Sequence, residues 1–170
     1  MRKLFFAFIV CLFALNFEAN AQSAPVPDNY VIKTKDDCAK YQDDVLKTID
    51  WLQNASWSEP LDNRKPANAF VLAWISASPD VTVTIESPLV KLTSKNPELL
   101  MIFMGGYTKY ALQHKADFNK TQADVAAIKA MIDKYTKETA SNKDNRMEKL
   151  AELDKNNKLE DWIKSDFEKK

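Results

Sequence analysis

The chain has 170 residues, in which 24 Lys and Arg are balanced by 24 Asp and Glu, with one His, two Cys and two Gly. That balance, with both signs interspersed, excludes the basic excess or stripe on which non-specific binding to nucleic acid depends. A single His and two Cys also leave too few soft ligands for a zinc or cluster site built in the usual way, so no metal and no cofactor is expected.

Met1-Arg2-Lys3, the apolar run Leu4–Leu15 and the small-x-small site Ala19-Asn20-Ala21 together predict a secretory signal peptide over residues 1–21. Asn16, Glu18 and Asn20 interrupt the run well short of the roughly 20 apolar residues a membrane span needs, so no stable membrane anchor is expected after cleavage. Val10 stands before Cys11 where a lipoprotein site would carry a small residue. Cleavage removes Arg2, Lys3 and Glu18 and so leaves 22 basic and 23 acidic side chains. The short leader and the Lys/Asn-rich body read as bacterial, which places the mature protein in the periplasm or outside the cell. Only Cys38 then remains, so no disulfide can form within the mature chain, and its spacing from Tyr41 predicts a buried thiol.

Residues 22–33 contain Pro25, Pro27 and Asp28 and read as an extended lead-in to a single helical domain over 34–170. Thr34 and Asp37 form a capping-box pattern. Cys38, Tyr41, Val45, Ile49 and Leu52 follow at helical spacing, predicting a helix over 35–53. Pro60 ends the next connection, and Trp57 within it is a candidate binding aromatic. Pro66 reads as a first-turn proline, and residues 67–77 form an apolar helix with no clear polar side, expected to be buried all round.

Val81–Ile85, VTVTI, alternates with period two and is entirely β-branched, a strand signal with no evident partner. An extended segment lying on the helices is expected. Ser87-Pro88 and Asn96-Pro97 each read as a cap followed by a first-turn proline, starting a short helix over 89–94 and a long apolar one over 97–115. Asn119 and Asp124 read as a further cap before a helix over 122–139, and Met147–Leu153 and Lys158–Lys170 predict two more. The fold class expected is all-α, an irregular bundle of six to seven helices.

Both glycines, Gly105 and Gly106, stand side by side in the long apolar segment. They lack the spacing of a phosphate loop. Two interior glycines cost a helix about 1 kcal/mol each relative to alanine, so a packing reason is expected: close approach of a neighbouring helix, with the Trp74 or Ile128 face as candidates, or a helix break. Beyond them, Tyr107, Tyr110 and His114 share a helix face at i, i+3 and i+7, and with Lys109 and Trp57 they are the candidate binding surface. Cys38 and His114 have no nucleophile turn or oxyanion hole around them. The composite expectation is an exported, periplasmic helical protein that binds a protein partner. A small-molecule or lipid carrier, with its cavity between 67–77 and 97–115, is the alternative, and an enzyme is the weakest reading.

Overall fold

A computed structural model describes residues 23–138 and 141–169; the stretch read as a signal peptide lies outside the described residues. The chain is an all-α bundle of eight helices and one π-helical turn among those residues, with no strand. In order they are α1 (Lys35–Lys40), α2 (Gln42–Asn54), α3 (Leu61–Ala77), α4 (Ser87–Thr93), α5 (Leu99–Gln113), α6 (Lys120–Lys137), α7 (Asn145–Lys155) and α8 (Leu159–Trp162), followed by the π turn Ile163–Phe167. None is long and apolar enough to cross a membrane.

The N-terminal start follows its local chemistry. The Thr34 hydroxyl accepts from the Asp37 amide at 3.2 Å, while the Asp37 carboxylate accepts from the amides of Thr34 and Lys33, each at 3.0 Å. The single helix expected over 35–53 is instead broken at Tyr41 (φ −98°, ψ 10°). Tertiary packing overrides the periodicity here, because the bend sets the Tyr41 ring edge-on to Phe70, centroids 6.2 Å apart, while Cys38 and Val45 stay in the core. The indole of Trp74 completes this corner, donating from Nε1 to the Cys38 carbonyl at 2.9 Å.

α3 begins at Leu61, one turn and more before the expected start. Pro60 precedes it, and Pro66 sits inside, where its missing N–H leaves the Asp62 carbonyl without its helical donor. Nor is α3 buried all round. Phe70, Val71, Trp74 and Ile75 face the core, where α3 packs on α1, α2 and α5, but Leu72 is 45% exposed. Val81–Ile85 is extended and unpaired as expected, with Val81 buried and Val83 packed on the core.

Neither Ser87 nor Asn96 caps a helix. Glu86 and Glu98 occupy the N-cap positions, with no side-chain cap bond. Asn96 is 1% exposed and pairs with Asn142 instead, donating to its carbonyl at 2.9 Å and accepting from its amide at 2.7 Å. This ties the start of α5 to the segment before α7. Asn119 does cap α6, accepting from the Gln122 amide at 3.1 Å.

α5 runs through both glycines unbroken and is the bundle's axis, with α6 along one side and α2 along another. A Cβ on Gly105 would lie 3.0 Å from Ile49 Cγ2, and one on Gly106 would lie 2.9 Å from the Ala127 Cα and 3.1 Å from the Ala130 Cβ. The glycine pair is therefore a double notch. The faces seated in it belong to Ile49 and to Ala127 and Ala130, where Trp74 and Ile128 were the expected neighbours.

The terminal helix read over 158–170 holds for only one turn before widening. In the π turn the Glu168 amide reaches back five residues to the Ile163 carbonyl at 2.9 Å. Ile163 and Phe167 both stay buried, the Phe167 ring lies 5.9 Å from that of Phe103, and Glu168 is brought against α6.

Candidate functional site

The structure brings three of the five candidate surface residues together. The Tyr110 and His114 rings stack with centroids 4.2 Å apart, and His114 Nδ1 lies 3.3 Å from the Asp117 carboxylate. Tyr107 and Tyr110 both meet Phe118, at 6.1 and 6.3 Å. Phe118 was not singled out by the sequence, and it is the exposed member of the cluster at 46%. Tyr107, by contrast, is 6% exposed and serves the core.

Lys109 turns away toward α2, its ammonium 2.5 Å from the Asp50 carboxylate. With Tyr110 and Gly106 it lines an open cleft of about 310 Å³ between α2, α5 and α6. Four lysines border this cleft, but three have acidic partners: Lys109 with Asp50, Lys129 with Asp154 at 3.1 Å, and Lys134 with Glu138 at 2.6 Å. Little free positive charge is left there for an anion. Trp57 is not in the aromatic cluster. It is a half-buried plug whose backbone amide donates to Glu138 at 3.1 Å, with the Lys134 ammonium 6.0 Å from its ring.

A second group of charges gathers where the C-terminal segment meets the start of α6. Asp124, taken as part of the α6 cap, is 2% exposed, because it shares a helix face with Ile128, Met131 and Tyr135. Its carboxylate accepts from the Lys120 ammonium at 2.7 Å, and Lys120 also reaches Glu168 at 3.4 Å. Glu168 in turn accepts from the Thr121 hydroxyl at 3.0 and 3.1 Å. Burial pushes the Asp124 carboxyl up, Lys120 opposes that, and Glu168 reinforces it, with the outcome at about 6.

A raised carboxyl pKa stabilises the fold only while the proton is held. The contribution is complete below the ordinary value of 3.8 and is lost as the pH rises through about 6. Asp124→Asn, which keeps the shape without the charge, is expected to stabilise the protein by about 1 kcal/mol at pH 7.5 and to flatten the stability profile between pH 4 and 6, measured by urea unfolding. A loss of stability at pH 7.5 would show that the Lys120 pair outweighs the buried charge.

A further surface with open apolar area lies between α4, α7 and the C-terminal segment. Pro88, Leu92, Leu150 and Trp162 line a hollow of about 300 Å³, with Lys91, Arg146 and Lys149 at its edge. Pro88, Lys91 and Asp166 are shared with a shallower depression of about 670 Å³ that continues past Thr84, Ile85 and Glu86 to Lys169. The two form one groove. Ile85, 50% exposed, stands in its wall, and the Arg146 guanidinium is fixed by the Asp144 carboxylate at 2.7 Å and the Ser94 hydroxyl at 2.9 Å. None of these residues was among the five candidates for the binding surface, because they come from four elements that meet only in the folded bundle.

Between α3 and α5, where a carrier's cavity was expected, the described residues enclose a cleft of about 20 Å³, against the 300 Å³ or more typical of ligand pockets. Cys38 is buried, and burial pushes its thiol up, with Asp37 and Asp80 adding to the effect. Comparison with protein-family models, with curated proteins and with solved structures finds no match for this chain.

Proposed function

We propose that this chain is an exported, periplasmic helical protein that works by binding another protein, and that the groove between α4, α7 and the C-terminal segment is the binding face. The observation that carries this reading is the shape and lining of the groove. It is long and open, its floor is apolar at Pro88, Leu92, Leu150 and Trp162, and its edge is charged at Lys91, Arg146 and Lys149. An apolar centre within a polar rim is the anatomy of a protein interface. A small-molecule site would instead be concave and largely enclosed.

A photoreactive residue placed at Ile85, in the groove's wall, tests this in the native compartment, with the same probe at Leu72 of α3 as the reference. A discrete crosslinked adduct from position 85 and none from position 72 is the expected result. No adduct from position 85, or the same adduct from both, would overturn the proposal.

A further inference from the structure

We infer that the groove takes an extended acidic segment of the partner polypeptide, which pairs as a β-strand along Val81–Ile85; this rests on the interaction reading above and specifies its chemistry.

The first observation is an unmet local preference. All five residues of VTVTI are β-branched, the composition that most favours a strand, and the segment is extended with its alternate valines turned to the core. Yet among the described residues the backbone groups of Val81–Ile85 make no hydrogen bond to any other element. Buried backbone groups are almost always paired; Thr82, Thr84 and Ile85 are exposed, so the unpaired stretch lies at the surface there, while Val81 is buried. Conflicts between local preference and the fold concentrate where a protein does its work.

The second observation is that nothing blunts this edge. Natural sheets protect exposed edges with lysine, proline or a bulge, and Val81–Ile85 contains no charge and no proline. The third is where the edge leads. Its C-terminal end, Thr84 and Ile85, forms part of the wall of the groove, so a strand paired along it runs on over Pro88 and Trp162. Main-chain pairing then supplies affinity and alternate side chains supply selection, as in other cases of strand addition.

Charge selects the occupant. Lys91, Lys149 and Lys169 line the two hollows against Glu86 and Asp166, with Arg146 already held by Asp144, in a chain whose formal net charge is zero. Glutamate or aspartate on the incoming segment complements that excess. A second copy of this chain pairing edge to edge would bring two such basic rims together.

The probe is a fluorescein-labelled seven-residue peptide alternating glutamate with valine and phenylalanine, titrated by anisotropy against the purified protein. Saturable binding is expected, at least tenfold weaker for the lysine counterpart and at least tenfold weaker when alternate amides of the peptide are N-methylated. Lys91→Glu with Lys149→Glu should weaken it at least tenfold, while Lys137→Glu, at the other cleft, should leave it unchanged. Equal binding of the acid and lysine peptides, indifference to methylation, or self-association of the protein with no peptide bound would each overturn the inference. A groove adduct from position 85 beside any of those results would leave the interaction reading standing and remove only its strand chemistry; absence of that adduct would remove both.

Discussion

Glu138→Ala is expected to lower the free energy of unfolding by about 3 kcal/mol, the low end of the range for removing one partner of a buried ion pair. Glu138 closes α6 and lies 2.6 Å from the Lys134 ammonium, with side chains 8% and 3% exposed. Its other carboxylate oxygen accepts from the Trp57 amide at 3.1 Å and the Ser56 hydroxyl at 3.3 Å, and Lys134 also donates to the Ala55 carbonyl. The pair thereby pins the α2–α3 connection to the end of α6. Without Glu138, Lys134 keeps only that carbonyl and the Trp57 ring for a charge that cannot reach water.

The effect belongs to the orphaned charge, so Lys134→Met combined with Glu138→Gln should destabilise less than Glu138→Ala alone. Burial by itself would raise the Glu138 carboxyl, but Lys134, the Trp57 amide and the Ser56 hydroxyl hold it below its ordinary value of 4.5. A depressed carboxyl contributes stability above the unfolded-state value, and that contribution is lost as the pH falls through the folded one. The variant should therefore show less acid sensitivity than the wild type. Chemical unfolding at pH 7 and pH 4 checks both points, and a loss below 1 kcal/mol at pH 7 would contradict this account of the pair.

Gly106→Ala is expected to destabilise by about 2 kcal/mol, from overpacking partly offset by the roughly 1 kcal/mol gained in helix propensity. The added methyl would stand 2.9 Å from a backbone atom, the Ala127 Cα, so relief requires α5 and α6 to move apart along their whole packed length. Gly105→Ala meets the side chain of Ile49 at 3.0 Å, which can yield by a few tenths of an ångström. Its two terms nearly cancel, and a change within about 1 kcal/mol is expected. Thermal unfolding of the pair of variants reads the difference, and equal effects at both positions would contradict the two-sided notch.

Where the chemistry is local, the sequence was legible. Thr34 and Asp37 form their capping box and Asn119 its cap because each needs only neighbours within three residues. The glycine pair could be read as a notch from composition alone, but its partners could not, since Ile49, Ala127 and Ala130 reach it through the fold. Asn96 had the pattern of a cap and was taken instead by Asn142, 46 residues away. Asp124, read as part of a cap, is a charged residue on the buried side of α6, where it shares the stripe of Ile128, Met131 and Tyr135; position on the stripe, read before residue type, would have placed it in the core.

The candidate site divides in the same way. Tyr107, Tyr110 and His114 do cluster, as one helix face requires, but Lys109 leaves them for Asp50 and Trp57 lies with Lys134. The groove was invisible because α4, α7, the C-terminal segment and the extended stretch contribute a few residues each. What the sequence did show was VTVTI with no partner, and that mismatch is the feature the inferred strand pairing rests on.

Amide hydrogen exchange across Val81–Ile85, followed residue by residue by NMR with and without the saturating glutamate peptide, reads that strand pairing itself. Fast exchange is expected in the free protein, because these amides have no partner among the described residues, and at least tenfold slowing on binding, with Tyr110–His114 unchanged. Amides already protected in the free protein, or exchange at Val81–Ile85 unaltered by bound peptide, would refute the pairing.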